Sequence, residues 1–106
     1  MALTSLQKNA ATYAGQIEAE MRSIGMWRET PLDPKQLKFK QAFAMDTMTF
    51  AQWLQFIFLP RVREAIASND FPSGSMVGAQ AVREFDGYLE ADHLITLLSE
   101  FDALFE

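Results

Sequence analysis

Leu3, Leu6, Ala10, Tyr13, Ile17, Met21 and Ile24 recur at steps of three and four, so they share one stripe of a helix predicted over residues 4 to 24. Thr4 or Ser5 suits its start, and Thr4 with Gln7 three residues on has the form of a capping box. Gly25 is placed to take the left-handed conformation that ends it. Gly15 costs the middle of this helix about 1 kcal/mol relative to Ala, which points to a neighbouring helix approaching closely there. From Gly25 to Ala44 the period is lost. Pro31 and Pro34 push the residues before them out of helical geometry, and Trp27, Leu32, Leu37, Phe39 and Phe43 follow no regular spacing. The expectation is a long connection, with a short helical turn around Pro34 to Leu37, pinned to the core by those five apolar side chains.

A second helix should begin near residues 47 to 50, with Asp46, Thr47 or Thr49 as its cap and Thr49 with Gln52 as a second capping box. Between Phe50 and Leu59 only Gln52 and Gln55 are polar, so this helix is apolar on nearly every side and belongs at the centre. Pro60 removes a backbone donor and crowds the preceding turn, which predicts a kink before the helix continues to Ser68. Turn-forming residues fill 69 to 75, where Phe71 is a candidate anchor. A shorter helix follows from about Met76 to Asp86, stopped by Gly87. The last starts at Asp92 as cap and carries Leu94, Ile95, Leu97, Leu98, Phe101, Leu104 and Phe105. No stretch alternates with period two over more than four residues, so the fold class is all-α: a compact array of about four helices with a long proline-containing loop between helices 1 and 2.

Composition narrows the function. A chain of 106 residues that is 49% hydrophobic can close one core as a single domain over 1–106. The absence of cysteine excludes disulfides, a thiol nucleophile and thiolate metal clusters, and it suits a cytoplasmic protein. The N-terminus lacks the pattern of a secretory leader. The longest apolar run, Phe56-Ile57-Phe58-Leu59, ends at Pro60 and is far too short for a membrane span. A net charge of −5 argues against DNA binding. The charge is also uneven. From Arg83 to Glu106 one cation faces seven carboxylates (Glu84, Asp86, Glu90, Asp92, Glu100, Asp102 and Glu106), whereas Arg28, Lys35, Lys38 and Lys40 outnumber Glu29 and Asp33 between positions 28 and 40.

Candidate chemistry is sparse. His93 is the only histidine, so it lacks the second ligand or orienting partner that metal and nucleophile sites need. Asp86, Glu90 and His93 would align only on one continuous helix, which Gly87 and an Asp92 cap oppose. Gly74 and Gly78 lack the strand and lysine of a phosphate cradle. No catalytic residues, metal or cofactor are expected. Trp27 and Arg28 on the long loop, with Phe43, Asp46 and Arg61, form the candidate interaction surface for a protein partner, because Trp and Arg are frequent hot spots. Trp53 and Gln55 are the candidates for an aromatic small-molecule pocket, the alternative reading. Local RNA contact through Lys35, Lys38, Lys40, Arg61 and Arg63 is the third.

Phe43 with Met45-Asp46-Thr47-Met48, then Trp53-Leu54-Gln55, Pro60-Arg61, Pro72 with Gly74, and Asp102-Ala103-Leu104-Phe105 resemble the YqcC-like family of small proteobacterial proteins; Trp27 fits it too. The resemblance runs from about Met26 to Phe105, and the first helix matches only in pattern. It implies about four helices, a cytoplasmic location and, in some bacteria, a gene beside that of a tRNA pseudouridine synthase. It brings no catalytic residues with it. A tRNA-modifying enzyme thereby becomes the partner to test.

Overall fold

In the computed structural model, which describes residues 2–106, helix α1 spans Ser5–Ser23. Its start is the capping box read from the sequence: the Gln7 N–H donates to Thr4 Oγ1 at 3.1 Å, and the Thr4 N–H to Gln7 Oε1 at 2.8 Å. Gln7 is itself buried, and its Nε2 donates to the Ile66 carbonyl at 2.8 Å, which ties the helix start to a distant element. Ala10, Ala14, Ile17 and Met21 bury the apolar stripe, and Gly25 ends the helix at φ +75°. Gly15 corrects the sequence reading: it is exposed, and a Cβ built there meets nothing within 4 Å.

The central helix runs through residues 50–68 as three continuous pieces: α2 (Phe50–Trp53), a π-helical stretch (Leu54–Phe58) and α3 (Leu59–Ser68). Thr49, with Gln52, is the cap. Thr47 instead exchanges hydrogen bonds with Gln36, and so pins the loop's first 3-10 turn, Pro34–Leu37. The helix passes Pro60 by widening. The Leu59 N–H reaches back five residues to the Leu54 carbonyl, which loosens the coil just where the pyrrolidine ring would strike it. Burial on nearly all sides follows, with Leu54 and Leu59 fully enclosed, as are Ile17 and Met21 of α1 and Leu94 and Leu98 near the chain's end.

Helix α4 covers Val77–Glu84, shorter than the sequence suggests, and Gly87 turns the chain at φ +84°. After a 3-10 turn, Leu89–Ala91, α5 covers Asp92–Ala103. Asp92 is its first residue rather than its cap; Ala91 holds the cap position, with no side-chain bond. Helix α4 has no cap of its own either. Asp102, on α5, supplies one by accepting from the Val77 and Gly78 N–H groups at 3.0 and 2.8 Å and from the Ser75 hydroxyl. The close helix approach sought at Gly15 occurs at Gly78, where a Cβ would lie 2.6 Å from Ser99 Cα and 2.7 Å from Ser99 N. The fold is all-α, with no strand among the described residues and a long loop between α1 and the central helix.

An aromatic cleft as candidate functional site

The central helix, the 69–76 loop and α5 leave a cleft of about 420 Å³ between them. Its walls are a relay of rings. Phe43 meets Trp53 at 4.9 Å between centroids, Trp53 meets Phe58 at 5.6 Å, Phe58 meets Phe101 at 5.3 Å, Phe101 meets Phe105 at 5.0 Å, and Phe105 meets Phe71 at 5.6 Å. Arg61, Asp70 and Ser75 are the polar residues among its lining, and Met76 stands at the mouth with 73% of its surface exposed. The Ser75 hydroxyl donates to Asp102 and so serves the α4 cap. The arrangement therefore receives an apolar body by contact area, with one cation and one carboxylate at its edge.

Phe43 reaches the cleft from a turn of unusual backbone. It adopts φ 56°, ψ 21°, and Ala44 follows at φ 52°, two successive L-residues in the left-handed region. Each costs on the order of 1 to 2 kcal/mol against the right-handed conformation. Asp46 closes this turn, accepting from the Lys40 N–H at 3.0 Å and the Gln41 N–H at 3.3 Å. The Lys40 N–H is the main cause that holds its carboxyl below the ordinary aspartate range, helped by the Gln41 N–H.

The other end of the long loop is fastened separately. Gln55, buried in the central helix, accepts from the Arg28 N–H at 2.9 Å and donates its Nε2 to the Arg28 carbonyl at 2.7 Å. Trp27, half-buried beside it, is covered by the Arg22 guanidinium 4.4 Å above its ring. Arg22 also pairs with Glu18 at 3.1 Å, and Arg63 reaches the same carboxylate at 2.6 Å. Arg63 first, and Arg22 with it, holds the Glu18 carboxyl below its usual value.

Escherichia coli K12 has a relative, described as uncharacterized protein YqcC, that is 34% identical over 95 residues, 84% of each chain. The DUF446 family model, described as tRNA pseudouridine synthase C, matches residues 9–104. The chain belongs to the YqcC-like family. An uncharacterized protein of Haemophilus influenzae Rd is 26% identical over 103 residues, 93% of this chain and 94% of that one. A Pectobacterium carotovorum protein named tRNA pseudouridine synthase C is 33% identical over 52 residues, 49% of this chain and 14% of that one. No solved structure matches it.

In this YqcC-like chain the candidate surface residues divide. Phe43 and Arg61 line the cleft together with Trp53. Trp27 and Arg28 sit where Gln55 grips the loop, and Asp46 is turned to the backbone of its own turn. Gln55 is not part of the cleft; its amide is committed to Arg28. Of the cations considered for RNA, Arg63 is engaged by Glu18 and Arg61 lies at the cleft, while the three lysines are exposed on the loop. Asp86, Glu90 and His93 fall on separate segments because α4 ends before Gly87. Among the described residues no group of three His, Cys, Asp or Glu side chains is assembled to hold a metal, and no helix is long and apolar enough to cross a membrane. Sequence reasoning missed Met76, Phe101 and Phe105 as cleft walls. Phe101 on α5 and Phe105 in the turn just after it stand four residues apart, a spacing indistinguishable from an ordinary core face.

Proposed function

We propose that this protein is a non-enzymatic accessory module that docks onto a tRNA pseudouridine synthase through the aromatic cleft. The observation that carries the reading is the partial match to the Pectobacterium protein of that name. The similar segment makes up 14% of that protein, so there a stretch resembling half of this chain lies within a much longer one. Two sequences joined in one chain suit a pair that works together when separate. The family description carries the same enzyme name. The cleft supports docking because aromatic pockets with an arginine at the edge are where binding energy concentrates. Such a partner implies work in the cytoplasm, where tRNA is.

The test uses the synthase from the same organism, purified and titrated with this protein by calorimetry, with pseudouridine formation in tRNA read in parallel. A complex is expected that Met76→Asp weakens roughly tenfold or more while the melting temperature holds, since Met76 is largely exposed. No complex, or one indifferent to Met76→Asp and Arg61→Glu, refutes the reading. The alternative, a small-molecule pocket, is favoured by the cleft's volume of about 420 Å³, which falls within the ligand-site range. A metabolite that raises the melting temperature of the wild type but not of Met76→Asp would select it.

A further inference from the structure

A second concavity, of about 440 Å³, opens where the C-terminal end of α4 meets the start of the central helix. Its large apolar lining residues are Met26, Met45, Met48, Phe50, Phe85 and Tyr88. Three methionines on one surface is a high share for a chain with six. Met45 is 52% exposed, Tyr88 54% and the adjoining Leu89 80%, so large apolar groups face water here. Methionine is unbranched and polarisable, which makes such a surface adaptable to an incoming apolar stripe.

The charged residue that lines this groove is acidic. Glu84 lines it, accepting a hydrogen bond from Gln80, whose amide also lies 3.9 Å from Met45 sulfur. Asp86 and Glu90, both exposed, flank Tyr88 and Leu89 in the chain. They belong to the stretch from Arg83 to Glu106, where Arg83 is the one Lys or Arg among seven carboxylates. An adaptable apolar floor with an acidic edge is complementary to a helix that carries lysines or arginines beside a hydrophobic stripe. RNA phosphates and anionic lipid headgroups are repelled by the same edge.

We propose that the methionine groove is the docking site of a basic amphipathic helical segment of a partner protein. The stripe fills the floor between Met45, Met48 and Phe85, and the cations of the segment face Glu84, Asp86 and Glu90. The site is separate from the aromatic cleft and does not depend on the synthase reading. Within one turn, Phe43 lines the cleft and Met45 lines the groove.

The probe is a Leu/Lys peptide of about 16 residues with its leucines at helical spacing, compared with a scrambled isomer and a Leu/Glu twin. Methyl-labelled methionines in the full chain report the location. The expected result is that the Met45 and Met48 methyl signals move while those of Met76, at the cleft, and Met21, in the core, stay in place. The scrambled and Leu/Glu peptides should bind at least roughly tenfold more weakly, and added salt should weaken the Leu/Lys complex. Met45→Lys should weaken binding roughly tenfold with the melting temperature unchanged. Shifts confined to Met76, equal binding of the Leu/Glu twin, or no binding would each overturn the proposal.

Discussion

Replacing Gly78 by alanine should destabilise the protein, although alanine is the better helix former by about 1 kcal/mol. The new Cβ would lie 2.6 Å from Ser99 Cα and 2.7 Å from Ser99 N, and both are backbone atoms that cannot rotate away. Helices α4 and α5 must therefore part by roughly 1 Å, and overpacking of this kind costs about 1 to 3 kcal/mol. The same displacement stretches the bonds from Val77 and Gly78 to Asp102, now 3.0 and 2.8 Å, and loss of a helix cap costs about 0.5 to 2 kcal/mol. Set against the gain in propensity, the net loss is about 2 kcal/mol, or roughly 10 °C in melting temperature. Gly15→Ala is the control, because that position has no neighbour within 4 Å; it should gain about 0.5 to 1 kcal/mol. Urea and thermal melts followed by circular dichroism measure both. A Gly78→Ala variant as stable as the wild type, or more so, would refute the account of this helix contact.

Trp53→Ala should cost about 3 to 5 kcal/mol, since the ring is buried and touches Phe43, Phe50 and Phe58; an unchanged denaturation midpoint would contradict its place in the core. The Glu18 carboxyl, held low by Arg63 and then Arg22, contributes stability that is complete above its ordinary value of 4.5 and is lost as the pH falls through its lowered folded value. Glu18→Gln should therefore lie below the wild type by up to about 1 kcal/mol at neutral pH, and the gap should close in acid; a gap independent of pH would show that the pairing contributes nothing.

What could be read from the sequence was local. Thr4 with Gln7 and Thr49 with Gln52 declare their helix starts because both partners lie within one turn of each other. Pro34 likewise marks the short turn in the loop. Asp102 capping α4 from α5, and Gly78 meeting Ser99, join residues more than twenty positions apart, and no periodicity encodes such meetings. Gly15 drew attention because a glycine inside a helix suggests close packing, yet only the fold decides which glycine faces a neighbour. Phe43 and Ala44 gave no warning, since neither is the glycine or asparagine that advertises a left-handed turn. At the site, Trp53, Phe43 and Arg61 converge as aromatic and cationic candidates should. Gln55 misled because a glutamine in an apolar helix looks the same whether it faces a ligand or a backbone strap.

The left-handed conformation of Phe43 sets stability against use at a single position. Glycine there would relax the backbone and remove the ring that stands against Trp53. Ala44 sits behind it, fully enclosed and equally strained, and glycine at that position would relax the turn while leaving the ring itself in place. A laboratory selection for heat resistance alone would thus accept glycine at either position, whereas one that also demands partner binding would tolerate it at 44 and reject it at 43.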